Sequence, residues 1–161
     1  GQALNGESGE AVAAQSEDAQ KGSVKFEYKG KGLEKFEQAQ EKYGVSVLFE
    51  DVLPPGEHVI EVSIDASLSG SDVGMQNPSA GIIKVNPDFL ADSSLSIIGS
   101  AIGHELVHVN DHLRGDLNVH DPASVNASNR RAYHWNRSNA SHFGLGVQYK
   151  LWATQKINEY Q

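Results

Sequence analysis

The pentapeptide His104-Glu105-Leu106-Val107-His108 constrains this chain more than any other stretch. It sits in an uncharged, helix-compatible frame, Ala101-Ile102-Gly103 before it and Val109 after it. On an α-helix two residues four apart lie on one face, one turn apart, so both imidazoles can reach one metal ion. The Glu between them can hold and deprotonate a water, the arrangement of an HExxH zinc site. Helical geometry supports this. With ~100° per residue and His104 at zero, Leu95, Ile98, Ile102, Leu106, Val109 and Leu113 fall in a sector of roughly 120–200°. His104 and His108 fall at about 0° and 40°. The helix is therefore predicted to bury one side and present its His pair on another.

Composition narrows the rest. The 161 residues suffice for one domain with a real core. No apolar run approaches the ~20 residues of a membrane span, and no signal peptide is read at the N-terminus. There is no cysteine, which excludes a disulfide framework and Cys-based zinc sites. A net charge of −8 argues against nucleic acid and anionic membranes as partners.

Residues 1–22 are polar and free of aromatics, and read as a flexible arm or linker; the domain is expected over 23–161. Val24 to Tyr28 alternates like a strand, and Leu33 to Tyr43 has helical spacing with Gly44 as a stop. Val45 to Phe49 is strand-like. Pro54-Pro55-Gly56 marks a turn before a strand over His58–Ile64. Ser67 to Ala80 reads as a loop, and Gly81 to Val85 as a short strand ended by Asn86-Pro87. In the motif helix, Asp92, Ser93 or Ser94 caps the start and Gly115 ends it. Further helices are expected over Asn126–His142 and Val147–Tyr160. Such a mixture makes an α+β domain: a small sheet, the motif helix and C-terminal helices.

A catalytic zinc needs three protein ligands and an open position. An extended HExxHxxGxxH pattern would need Gly at 111 and His at 114, where the chain has Asp111 and Arg114. Asp111 and His112 lie near the His face but further along the axis, and are expected to support the ligands or face solvent. No Glu occurs between Glu105 and Glu159, which leaves Asp116, His120, Asp121, His134 and His142 as donors. His134, on a helix expected to fold back against the motif helix, ranks first. His120 and Asp121 come next, from a loop that could cover the metal.

At this point the chain, from about Leu33 to Gln161, resembles the metallopeptidase toxin domains at the C-terminal tips of bacterial RHS-repeat proteins. Those are akin to type III secreted zinc peptidase effectors. The resemblance rests on Gly81-Ile82-Ile83-Lys84-Val85-Asn86-Pro87, Ile98 to His108, Asp111 to Gly115, Ala132-Tyr133 and Gly144-Leu145. It implies a zincin-like metallopeptidase fold, zinc, Glu105 as general base and protein substrates in a target cell. Secretion or delivery as part of a larger protein, and a cognate inhibitor or immunity protein, follow from the same likeness. It also implies a Glu ligand on the helix holding Ala132-Tyr133. This chain has none there, and His134 on that helix is expected in its place.

The expected chemistry is hydrolysis of a peptide bond in a protein or peptide substrate. His104, His108 and His134 hold zinc, and Glu105 moves the proton. The oxyanion needs a further electrophile, for which Tyr133 and His142 rank ahead of Arg131 and Tyr149. A substrate strand is expected to pair with an exposed sheet edge, over Ile82–Val85. Two alternatives stand beside this: a degenerate zincin acting as a protein-binding module, and a purely structural zinc site closed by His120 or Asp121. Three Asn-x-Ser sequons, at Asn126, Asn136 and Asn139, read as accidents of an Asn/Ser-rich helix.

Overall fold

The computed structural model describes residues 21–161. The arm expected over residues 1–22 lies outside them except for Lys21 and Gly22, and Gly22 already opens the first strand. Among the described residues the fold is α+β, with one four-stranded sheet and five α-helices. The strands are β1 (Gly22–Lys29), β2 (Gly56–Ile64), β3 (Met75–Ser79) and β4 (Ile82–Val85). The helices are α1 (Glu34–Tyr43), α2 (Pro87–Asp92), α3 (Leu95–Leu113), α4 (Pro122–Ser138) and α5 (Val147–Glu159). No helix among the described residues is long and apolar enough to cross a membrane.

The sheet runs β1-β2-β4-β3. β1, β2 and β4 are parallel, and β3 is antiparallel to β4. The parallel pair β1/β2 requires a crossover, which α1 supplies. In β2 the sequence alternates as read: Ile60 and Val62 are fully buried, while Val59 faces out. β4 lies between β2 and β3, so the edge strands are β1 and β3 and not Ile82–Val85.

Three segments differ from the sequence reading. Val45–Phe49 is a 3-10 helix and not a strand. Gly44, at φ 56°, ends α1 in the left-handed region, and the chain then coils so that Val45 and Phe49, four residues apart, are both buried. The stretch read as a loop over Ser67–Ala80 contains the 3-10 turn Ala66–Leu68 and β3. Met75-Gln76-Asn77-Pro78-Ser79 has little strand propensity, and its Pro is tolerated because an edge strand can forgo a ladder N–H. Helix α4 begins and ends earlier than Asn126–His142. Asp121 caps it, accepting from the Ala123 N–H at 3.2 Å, with Pro122 preset for the first turn. Ala140–Phe143 is a separate 3-10 turn.

Helix α3 runs through the middle of the molecule. Ser94 Oγ accepts from the Ile97 N–H at 3.3 Å and starts it. Most of its apolar sector is buried as the periodicity requires: Ile98, Ile102, Leu106 and Val109 pack into one core with Phe36, Phe49, Ile60 and Ile83, whereas Leu113, in the last turn, is exposed. Each such side chain contributes roughly 1.5–3 kcal/mol. The core therefore fixes the rotation of α3 about its axis, and with it the direction of the His pair.

A second contact fixes how closely α4 approaches. A Cβ built on Gly103 would lie 2.0 Å from Cη2 of Trp135, so only a glycine lets that ring lie against the helix one residue before His104. The ring in turn packs on Phe49 and Phe143, with centroids 5.2 and 5.8 Å away. Gly103→Ala is expected to destabilise the fold by about 1–3 kcal/mol or more, because the indole is hemmed in and cannot retreat. A thermal melt of the variant checks this; an unchanged melting temperature would show that α3 and α4 are not held at this spacing.

Candidate metal centre

Helix α3 brings His104, Glu105 and His108 together as their spacing requires. One donor atom from each lies within 4.8 Å of the others, and the ring centroids of the two histidines are 4.9 Å apart. Among the described residues this is the one cluster of three or more such donors that could hold a metal ion. It lies in a cleft of about 900 Å³. Residues of the edge strand β3 and of α3, α4 and α5 line it.

The orientation of both imidazoles follows from hydrogen bonds made behind them. His104 Nδ1 lies 2.7 Å from Asn136 Oδ1. The amide group of Asn136 is turned so that its Nδ2 donates to Ser100 O at 2.9 Å and to Ser100 Oγ at 2.8 Å. Its oxygen must therefore accept, and His104 carries its proton on Nδ1. The second imidazole is fixed by a similar argument. His108 Nδ1 lies 2.7 Å from Ser128 Oγ, and that hydroxyl donates to Asp111 Oδ2 at 2.6 Å. A carboxylate can only accept, so the hydroxyl proton is committed to Asp111 and Ser128 must accept from His108 Nδ1. Arg131 also holds the carboxylate, with Nη2 3.0 Å from Oδ2 and Nε 3.2 Å from Oδ1. Both rings thus have the same tautomer, with the Nε2 lone pair free.

Ionisation points the same way. Burial pushes the His104 imidazolium down to about 4, against a weaker upward pull from Asn136. His108 is lowered to about 3, first by burial and then by the charges of His104, His112 and Arg131. Both are neutral at pH 7, the form that can ligate a metal. Glu105 is 4 % exposed, and burial pushes its carboxyl up to about 8. A cation beside it would act in the opposite direction.

The other residues singled out from sequence are scattered. His134, expected as third ligand, does not join the group. It is exposed on α4, and its Nδ1 accepts from Arg137 Nη2 at 2.9 Å. Helical rotation explains this, because Ser128, Ala132 and Asn136 take the face of α4 that meets α3. His142 is also elsewhere: its Nε2 donates to the Tyr43 carbonyl at 2.7 Å, and it does not line the cleft. Asp116, His120 and Asp121 are exposed, and Asp121 is occupied in capping α4. Tyr133 does belong to the site. It lines the cleft with its ring edge-on to His104, centroids 4.6 Å apart, and burial raises its phenol to about 12. His112, one turn beyond His108, donates from Nε2 to the Asn77 carbonyl at 3.2 Å and ties α3 to the edge strand.

No family model, curated protein or solved structure matches the chain. The chemistry of the site is therefore argued from its own geometry. Sequence reasoning missed Ser100, Ser128 and Asn136, all buried. Asn136 is 1 % exposed, so that sequon is closed to a glycan in the folded chain.

The three ionisations set a pH profile for the chelator-treated protein. Below the unfolded His value near 6.5 the unfolded chain binds two more protons at these imidazoles, while folded Glu105 holds one more than unfolded Glu down to about 4.5. The net is one proton in favour of the unfolded state, so stability falls as pH drops from about 6.5 towards 4.5. Between about 6.5 and 8 only Glu105 differs, the folded state holds the extra proton, and stability falls as pH rises. Urea unfolding is expected to show a maximum near pH 6.5, with slopes of at most about 1.4 kcal/mol per pH unit on either side. Stability that is flat from pH 5 to 8 would show that these groups are not buried as described.

Proposed function

We propose that this domain is a zinc-dependent endopeptidase of the zincin type. The observation that carries the reading is a buried carboxyl group, Glu105, beside two neutral imidazoles whose free Nε2 atoms share one cleft. The donor set suits zinc, which takes imidazole nitrogen readily and is satisfied by few ligands. His104 and His108 would hold it. Asn129 lines the same cleft from α4 and would add a side-chain oxygen to the pair, Asn136 being committed to His104 and Ser100. When bound, zinc would supply the Lewis acidity that makes a water nucleophilic near neutral pH.

The chain's own residues then divide the work. Glu105 accepts the proton of the attacking water and returns it to the leaving amine nitrogen. Tyr133 would donate a hydrogen bond to the oxygen that develops negative charge, a role that His142, outside the cleft, would not share. Asn136 and Ser128 hold the imidazoles, so the donor atoms need no reorganisation. A substrate strand would pair with β3, an edge strand that lines the cleft, by β-augmentation. The substrate is a protein or peptide. The likeness to toxin and effector domains supports delivery from a bacterial cell as part of a larger protein, together with a cognate inhibitor.

One observation favours a second reading. Among the described residues no fourth His, Asp, Glu or Cys joins His104, Glu105 and His108. A degenerate zincin that binds protein without cleaving it would share that feature. A structural zinc site is disfavoured, because His120 and Asp121 lie outside the group.

Zinc analysis and proteolysis of an unfolded protein such as casein separate the readings. The wild type is expected to hold about one zinc per chain and to cleave. Glu105→Gln is expected to keep the zinc and to lose about 10²–10⁴-fold in turnover, the contribution of a general base. Undiminished cleavage by this variant would remove Glu105 from the mechanism. Zinc-loaded wild type that cleaves nothing would favour the binding module.

A further inference from the structure

The wall of the cleft formed by α5 is aromatic, and its composition bears on what the cleft accepts. Tyr149 and Trp152 lie with ring centroids 5.2 Å apart, Trp152 and Tyr133 5.6 Å apart, and Tyr133 and Tyr160 5.9 Å apart. All four line the cleft. The row begins at the metal group, because Tyr133 also lies against His104. Tyr149 is fixed in direction by its hydroxyl, 2.7 Å from Ser100 Oγ, so its ring cannot swing away. Trp152 is nevertheless 42 % exposed, and Val73 and Val119, 40 % and 55 % exposed, face the same cleft. Large apolar side chains gathered around one concave site, and left open, mark a binding surface.

We infer that this wall is a specificity subsite for an aromatic side chain of an extended peptide paired with β3. The inference rests on the peptidase reading for the course of the peptide along β3, which lines the same cleft. The occupant is argued from the rings and from charge. Tilted and edge-on rings present further faces and edges to a ring added to the row, and such pairs gain beyond the area they bury. Rings of this kind can also attract a cation. Here, however, the one carboxylate of α5, Glu159, is already paired with Lys156 at 3.4 Å, so the helix offers a cationic side chain no free counter-charge. A neutral aromatic group satisfies both conditions.

The experiment uses chelator-treated protein, so that binding is read without turnover. Blocked hexapeptides identical except for Phe, Leu, Lys or Ala at one central position are titrated by calorimetry, a readout that wild type and Trp152 variants share. The Phe peptide is expected to bind about ten-fold tighter than the Ala peptide and a few-fold tighter than the Leu peptide, with the Lys peptide weakest. Trp152→Ala is expected to erase the Phe preference. Trp152→Phe, which keeps a ring in the row, is expected to restore most of it, and a thermal melt confirms that both variants fold. Equal affinity for the Phe and Ala peptides, or a Phe preference that survives in Trp152→Ala, would overturn the subsite. Failure of the peptidase reading looks different: the zinc-loaded protein cleaves none of the peptides, yet the Phe preference and its loss in Trp152→Ala remain. Conversely, cleavage with no preference at the central position would sink the subsite and leave the peptidase.

Discussion

Two buried hydrogen bonds, His104 to Asn136 and His108 to Ser128, are what the rest of the site depends on. An imidazole on a helix can rotate about its side-chain bonds and carry its proton on either nitrogen. A ligand needs one ring direction and one tautomer. Helix α4 supplies both, because each of its two polar groups is committed elsewhere and has only an accepting position left for the ring. Ser128 is committed by Asp111, which Arg131 holds, and Asn136 by Ser100. The two supports differ in charge. His108 is backed by a carboxylate through a hydroxyl, whereas His104 is backed by neutral groups. Full satisfaction of such a network matters, since a half-paired buried polar group costs more than an apolar one.

These bonds require α4 to lie close to α3, and that spacing is a packing property. Gly103 leaves room for the Trp135 ring, and the ring leans on Phe49 and Phe143 in the core. The apolar sector of α3 sets the rotation of the histidine face. Core packing and polar pairing therefore meet one residue apart, at Gly103 and His104. The sheet enters through His112, which ties the edge strand to the end of the same helix. Edge strand, α4 and histidines are consequently held to one another by named contacts on a single helix.

Much of this was legible in the sequence, where the signal was local. The helical period across Leu95–Leu113 identified the buried face and the His face, and the structure keeps both. The alternation of His58–Ile64 and the stops at Gly44 and Gly115 were likewise local. The edge strand was not legible, because Met75–Ser79 is a strand only by virtue of pairing with β4, and its composition argues against it. His134 was misplaced because spacing along α4 was read without knowing which face of that helix meets α3. In the sequence Asn136 and Ser128 read only as parts of sequons in an Asn/Ser-rich helix. Their partners are distant in the chain, so nothing nearby reveals that they are buried. A usable signal did exist: Ser128 and Asn136 are small polar residues two turns apart, matching a histidine pair one turn apart on a facing helix.

The most direct test of the account is a long-range ¹H–¹⁵N NMR spectrum of the histidine side chains in chelator-treated protein at pH 7. His104 and His108 are predicted to be neutral, each with its proton on Nδ1 and a bare Nε2, the pattern that Asn136 and Ser128 impose. Upon adding zinc, the Nε2 resonances of those two rings should be the ones that shift. If either ring carries its proton on Nε2, or if both are charged at that pH, the lone pairs do not face the cleft and the metal centre described here is wrong.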